Sequence, residues 1–320
     1  MKRFHAFLLA LSMALASSQV STAAPVRITN SKIGAQLDLP IYEWVDTSKR
    51  RRGTIIAVHG LTLYAASWDQ MARHLAALGY HVFALDQRGF GRWETESAKF
   101  DGTNKVFVGQ SQQDLLDLVT TERQAHPNQK LFCLGESLGS NMILQLAEDH
   151  PELIDGAILG SPCYKARVHP KPLHWAKDLA SEIVLPDHPL NLEPYAAPYL
   201  TNDLRLRAAC DSDPIINRKL TPAELIKFDV MDDKAIKGAK NLRADFPILI
   251  IAGEKDAMFH SEDLPKEVTK WGSKDIQVSL LPGRGHLLME HQSVIPQVGS
   301  LIDTWLRQQN NSAVAASSKK

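Results

Sequence analysis

A chain of 320 residues with 44% apolar side chains holds enough hydrophobic material for one large core and is not composed like a disordered polymer. Its 36 basic and 36 acidic residues balance, which leaves no electrostatic footprint for nucleic acid. Neither CxxC nor HExxH occurs among its three cysteines and twelve histidines, so no structural metal is expected.

Lys2 and Arg3 precede a largely apolar run from Phe4 to Ala16, followed by small and polar residues to Ala24. That run is shorter than the roughly 20 residues needed to cross a bilayer, so residues 1–24 read as a secretory signal peptide and not as an anchor. Cleavage after Ala16, Ala23 or Ala24 would deliver the protein to the periplasm or the outside, and the absence of a nearby cysteine argues against lipid anchoring. The mature chain would then carry 34 basic and 36 acidic residues. An odd cysteine count is unusual in such a compartment. Cys133, in an apolar run, reads as a buried free thiol, while Cys163 and Cys210 are candidates for a disulfide.

Residues 35–45 carry Leu37, Leu39, Ile41, Tyr42 and Trp44, a pattern that suits an antiparallel hairpin at a sheet edge. The basic run Lys49 to Arg52 reads as a solvated turn. From Gly53 onward short apolar runs alternate with amphipathic stretches, the signature of parallel strands joined by crossover helices. The runs are Thr54-Val58, His81-Leu85, Lys130-Leu134, Gly156-Gly160, Pro247-Ala252 and Ile276-Leu281. Between the first two, Trp68, Met71, Ala72, Leu75 and Leu78 recur at helical spacing, with Gly79 at the expected C-terminal stop. The alternation breaks over 164–242, which is too long for a bare loop and is read as a helical insertion. Two pieces of one core, 25–163 and 243–309, therefore flank an inserted helical lid, and the polar tail 310–320 is expected to be disordered.

Within this frame Gly135-Glu136-Ser137-Leu138-Gly139 follows a strand and opens a helix, the context of a nucleophile elbow. The pentapeptide alone is weak, since its three fixed positions should recur by chance in about one chain in ten of this length. Its partners strengthen it. A serine hydroxyl needs an imidazole to take its proton, and the imidazole needs an acid on its other nitrogen. In this type of fold the order is serine, acid, histidine. Asp256 follows the strand ending at Ala252, and His286 follows the strand ending at Leu281, so all three lie just past their own strands. Glu254 is the rival acid, and His260 and His291 are the rival bases. For the oxyanion, the backbone amides of Leu138 and of Leu61, after His59-Gly60, are the natural donors. His59 precedes the serine and reads as a brace for that loop.

Taken together, Val58-His59-Gly60-Leu61, Asp86-Gln87-Arg88-Gly89-Phe90-Gly91, the elbow, Gly253 to Asp256 and Gly285-His286 resemble α/β-hydrolases of the monoacylglycerol lipase, lysophospholipase and serine-aminopeptidase group. The resemblance runs from about Gln36 to Leu306 and includes Asp213-Pro214. It implies an α/β-hydrolase fold with a mostly parallel central sheet, helices on both faces and a lid. It also implies a cofactor-free serine hydrolase acting on lipid-like carboxylic esters, with Ser137, Asp256 and His286 as the triad and Leu61 and Leu138 as the oxyanion hole. Contact of the lid with a membrane surface is left open. Two positions depart from the pattern: Trp93 stands where the group usually has serine, and Ser140 where a glycine often follows the elbow.

Substrate-binding residues are not assigned. Trp175, Leu179, Ile183, Val184, Leu185, Tyr195 and Tyr199 suit either an acyl-binding wall or the lid's own core. An exopeptidase or amidase using the same triad is the alternative, and Glu182, Asp187, Glu193, Asp203, Asp211 and Asp213 are the carboxylates available to hold a free amino terminus. A binding protein on a hydrolase scaffold is the non-enzymatic reading.

Overall fold

The computed structural model describes residues 24–100, 105–167, 188–192, 199–292 and 294–317. Their strands are β1 (Val26–Ile28), β2 (Ile41–Val45), β3 (Gly53–Val58), β4 (Tyr80–Leu85), β5 (Leu131–Glu136) and β6 (Gly156–Gly160) in the first part of the chain. The short β7 (Leu190–Asn191) and β8 (Lys219–Leu220) follow, then β9 (Ile248–Gly253) and β10 (Ile276–Leu281). The helices are α1 (Lys32–Leu37), α2 (Asp69–Ala77), α3 (Arg92–Thr95), α4 (Val108–Ala125), α5 (Leu138–Asp149), α6 (Leu204–Ser212), α7 (Pro222–Gly238), α8 (Leu264–Glu267) and α9 (Pro296–Ser317).

Eight strands form one sheet in the order β1-β2-β4-β3-β5-β6-β9-β10. β2 runs antiparallel to both neighbours, and every pairing from β4 to β10 is parallel. The alternation of side chains sorts the strands' apolar residues onto two faces. On one face Ile56, Val58 and Cys133 pack with Leu115 and Leu118 of α4, Ile143 of α5 and Met231 of α7. On the other, Ile55, Ala57, Phe132 and Leu134 pack with Met71 and Leu75 of α2 and Ile302 and Trp305 of α9. Burial on both faces is why these runs are continuously apolar. Each fully buried aliphatic side chain contributes about 1.5–3 kcal/mol of transfer free energy.

The chain steps from β3 to β4 on one side and then crosses to β5 on the other. The crevice at such a reversal, beyond the carboxyl ends of the strands, is where ligands bind in open parallel sheets. It lies between the end of β3, which leads into Gly60-Leu61, and the end of β5, which leads into Ser137.

Three segments differ from the sequence expectations. The hairpin expected over 35–45 is instead helix α1 followed by β2, whose antiparallel partners are β1 and β4. Ser31 caps α1 by accepting the Gly34 amide at 3.0 Å, and Asp38 ends it in the left-handed region at φ 55°. The basic turn is not wholly solvated, because the Arg51 guanidinium binds the buried Glu122 and Thr54. The tail expected to be disordered continues α9 to Ser317, in keeping with the helix propensity of its alanines, and Asn310 donates to the Tyr80 hydroxyl at 2.7 Å.

The insertion between β6 and β9 contains α6, α7 and the small β7-β8 ladder among its described residues. A capping box between Thr221 and Glu224, with Pro222 in the first turn, starts α7, which packs on α5. Residues 1–23 lie outside the described residues, as do Trp175, Leu179, Ile183, Val184, Leu185 and Tyr195 of the candidate wall and the acidic Glu182, Asp187 and Glu193. No helix among the described residues is long and apolar enough to cross a membrane.

Candidate active site

Ser137 stands between β5 and α5 with φ 54° and ψ −125°, a backbone conformation strained for any residue but glycine. The turn is possible because the residues two positions to either side, Gly135 and Gly139, have no side chains. A Cβ on Gly139 would lie 2.1 Å from the Val58 carbonyl oxygen, and one on Gly135 would lie 2.5 Å from the Gly139 carbonyl carbon. The Ser137 amide donates to the Gly160 carbonyl at 2.8 Å, and the Ser140 hydroxyl lies 2.9 and 2.8 Å from the carbonyls of Gly135 and Gly160. Ser140 thus fastens the elbow to β5 and β6, a task glycine could not perform.

His286 and Asp256 meet at the same edge. His286 Nδ1 and Asp256 Oδ2 are 2.8 Å apart, and both residues are buried. The other carboxylate contacts are amides of Met258 (2.8 Å) and Phe259 (3.0 Å) on Oδ1 and the Ser261 hydroxyl (3.0 Å) on Oδ2. Burial alone would push the Asp256 carboxyl up, but the His286 charge and hydrogen bond with the two amides outweigh it and hold the group below its ordinary value. Burial would likewise lower His286, yet Asp256, and the charge of Glu136 after it, raise the imidazole above its ordinary value. The far nitrogen, Nε2, is buried and has no hydrogen-bond partner among the described residues. The Ser137 hydroxyl contacts Cys163 Sγ at 3.6 Å.

The expected oxyanion donors are both on the crevice. Leu138 opens α5, where first-turn amides have no intrahelical acceptor. Leu61 follows Gly60 in a turn whose next residue, Thr62, takes φ 71°. His59 is a brace, as its position suggested: it is buried, its Nε2 accepts the Gln87 amide at 3.0 Å, and burial pushes its pKa down to about 4. The rivals point elsewhere. Glu254 is exposed, His260 pairs with Glu262 at 3.0 Å, and His291 Nε2 lies 3.2 Å from Asp213 Oδ2.

Several residues that position the site were not singled out from the sequence. Asn202, in the insertion, donates to the Gly283 carbonyl at 2.8 Å and accepts the Gly285 amide at 3.1 Å, bracing the approach to His286. Ser161 donates to the His286 carbonyl at 2.6 Å. Glu136 and Glu290 are buried carboxyls behind the serine, and the only sign of them in the sequence is a charged residue at the end of a fully buried strand. Of the acidic residues considered for an amino terminus, Asp203 caps α6, and Asp213 accepts from the Tyr64 hydroxyl at 2.6 Å. Cys133, Cys163 and Cys210 are all free and buried; Cys163 faces Ser137, while Cys210 packs with Leu206, Ile216 and Leu287. The disulfide considered between Cys163 and Cys210 is therefore absent. No group of three or more potential metal ligands occurs among the described residues. A polar cleft lined by Lys130, Asp155, Arg243 and Asp275 opens at the amino-terminal ends of the strands, away from Ser137.

The fold and this constellation define the class: an α/β-hydrolase with a serine on the elbow and a histidine–aspartate pair at the same sheet edge. Residues 49–292 match the family model described as Hydrolase_4, serine aminopeptidase, S33, and the chain belongs to that family. It is 25% identical over 259 residues to a monoacylglycerol lipase of Mycolicibacterium smegmatis, covering 78% of this chain and 88% of that one. It is 27% identical over 274 residues to the monoglyceride lipase of Homo sapiens, covering 83% and 86%. Among solved structures, a soluble variant of monoglyceride lipase from Saccharomyces cerevisiae, in complex with a substrate analog, superposes with a TM-score of 0.66 at 21% identity, covering 92% of this chain and 98% of that one.

Proposed function

We propose that the protein is a serine hydrolase of carboxylic esters, acting on lipid-like substrates of the monoacylglycerol or lysophospholipid type through an acyl-enzyme on Ser137. The observation that carries this reading is the buried His286–Asp256 pair at 2.8 Å, with a free Nε2, at the sheet edge that also holds the strained Ser137. The names of the lipase relatives support the ester substrate.

The Ser137 hydroxyl turns from Cys163 to His286 Nε2, which takes its proton as the oxygen attacks the ester carbonyl. Asp256 holds the Nδ1–H and offsets the charge on the imidazolium. The oxyanion settles on the Leu61 and Leu138 amides. Collapse breaks the C–O bond, and His286 passes its proton to the departing alcohol. Water then repeats the sequence on the acyl-enzyme with His286 as base.

A fluorophosphonate should label the wild type on Ser137 and leave Ser137→Ala unlabelled. The variant should lose roughly a millionfold in kcat on p-nitrophenyl esters, as other triads do. Unchanged ester turnover in purified Ser137→Ala would overturn the assignment.

Asp232 on α7 favours keeping the amidase reading in the same assay. Its Oδ1 is buried without a hydrogen-bond partner among the described residues, burial raises its carboxyl well above the ordinary value, and it interacts with Cys163, which touches Ser137. A substrate ammonium group placed beside it would lower that value and ionise it. Aminoacyl nitroanilides cleaved faster than esters, with the preference lost in Asp232→Asn, would favour it. The N-terminal run adds a second expectation, export, which sequencing the mature N-terminus would test: a start after Ala16, Ala23 or Ala24 supports cleavage.

A further inference from the structure

Two carboxyl side chains are sealed behind Ser137, and neither takes part in the proton transfers above. Glu136 and Glu290 are both 0% exposed. Glu136 receives only donors: Oε1 accepts from the amides of Leu288 (2.6 Å) and Met289 (3.0 Å), and Oε2 from those of Met289 (3.1 Å) and Glu290 (2.9 Å). These contacts suit an ionised carboxylate and pin the segment just after His286.

Glu290 has a different set. Its Oε2 accepts the Gly60 amide at 2.8 Å, and its Oε1 lies 2.6 Å from Ser67 Oγ. Ser67 Oγ also lies 2.6 Å from the Tyr64 carbonyl oxygen, which can only accept. A serine hydroxyl carries one proton. With that proton given to Tyr64, the short contact to Glu290 needs a proton on Oε1, because two bare oxygens at this distance repel. Two carboxylates buried side by side cannot both ionise, and their hydrogen-bond partners assign the charge to Glu136. The Glu290 carboxyl is accordingly raised well above its ordinary value, by burial first and by Glu136 second.

We infer that Glu290 is a neutral carboxylic acid that positions the oxyanion loop, its O–H engaging Ser67 and its C=O holding the Gly60 amide next to Leu61. The inference rests on the hydrolase reading above. Through this group the loop after β3 and the loop after β10 are tied together, and the amide of His291 adds to the tie by donating to the Ser67 carbonyl at 2.7 Å. Among the described residues the groups facing Glu290 include Glu136, Ser67, the Gly60 amide and the buried thiol of Cys210, with the His286 charge acting on Glu136.

Wild type, Glu290→Gln, Glu290→Leu and Glu136→Gln are compared on p-nitrophenyl butyrate, with active sites titrated by a fluorophosphonate. A trifluoromethyl ketone with a matching chain, whose adduct needs the oxyanion hole, supplies an inhibition constant. Glutamine offers an N–H donor and a C=O acceptor, as the neutral acid does, so Glu290→Gln should stay within about threefold of wild type in kcat. Glu290→Leu should lose about ten- to hundredfold in kcat with KM little changed, and the inhibition constant should weaken by the same factor. Glu136→Gln, which turns an N–H toward backbone donors, should be the damaging amide variant. Ser67→Ala gives the same readout should Glu290→Leu not fold. Equal damage from Glu290→Gln and Glu290→Leu overturns the neutral acid. A fall in kcat with an unmoved inhibition constant, or no fall per titrated site, overturns the positioning role. Wild-type protein that neither labels nor turns over ester overturns the hydrolase reading itself, and this inference with it.

Discussion

His286 and Asp256 hold one another at 2.8 Å in a site closed to solvent, and each displaces the other's proton affinity in the direction that keeps the pair charged. The sign of the pH dependence follows. General-base action needs neutral His286, and its pKa is raised above the ordinary value of about 6.5. Ester kcat/KM should therefore fall as pH drops through a midpoint above 6.5. In Asp256→Asn the raising charge is gone while the burial that lowers His286 remains, so the acid limb should move to lower pH. Turnover should fall on the order of 10⁴-fold, because the imidazole loses the group that fixes its tautomer. Profiles of kcat/KM from pH 5 to 9 check both, and an acid limb that stays put in the variant would contradict the pairing.

Ser137 holds a strained backbone at the elbow, with φ 54° and ψ −125°. Backbone conformations of this kind cost about 1–3 kcal/mol in a residue with a side chain, whereas glycine adopts them freely at an entropic cost of about 0.5–1 kcal/mol. Ser137→Gly should consequently be inactive yet more stable, by about 1 kcal/mol, with a rise in Tm of about 2 °C. Gly139→Ala should show the opposite, because its Cβ would lie 2.1 Å from the Val58 carbonyl oxygen and would force β3 and α5 apart. A thermal melt of the two variants beside wild type measures both.

The parallel strands and the three edge residues were legible because burial on both faces writes continuous apolar runs, and because chemistry sits where those runs end. Helix α1 was not, since its six residues are specified by a Ser31 cap and a left-handed Asp38, not by a repeating stripe. Asn202 lies in a stretch without periodicity, and only folding brings it 81 residues along the chain to Gly283. Glu136 occupies a position that the elbow pattern leaves open. Its meaning depends on amides 152 to 154 residues away, which no local pattern encodes.

The thiols should be silent in the folded protein. Cys133, Cys163 and Cys210 are buried, and burial raises all three, Cys133 and Cys210 to about 12, which leaves almost no thiolate at neutral pH. Iodoacetamide at pH 7.5 should modify none of them until denaturant is added, when all three should react. Reductant should leave Tm and electrophoretic mobility unchanged. A one-thiol count in the denatured, unreduced protein would show a disulfide, and the free thiols described above would be wrong.

Trp93 stands where relatives of this group usually carry serine, and its surroundings make it a brace and not a substrate contact. It is 1% exposed, its indole N–H donates to the Asp86 carbonyl at 2.7 Å, and its ring packs on Phe100 at 5.5 Å. The Arg88 guanidinium lies 3.8 Å over the ring and is held in place by Asp114 at 2.6 and 3.0 Å. Trp93→Ser would leave an indole-sized cavity, strip Arg88 of its stacking surface and free the Asp86 carbonyl. Emptying a site of this size costs about 3–5 kcal/mol, so Tm should drop by about 10 °C. The hydrogen bond and ring contacts of Trp93 go to Asp86, Phe100 and Arg88, so kcat per titrated site should stay within about twofold at a temperature where the variant is folded. A selective change in acyl-chain preference without loss of stability would instead make Trp93 part of the substrate wall.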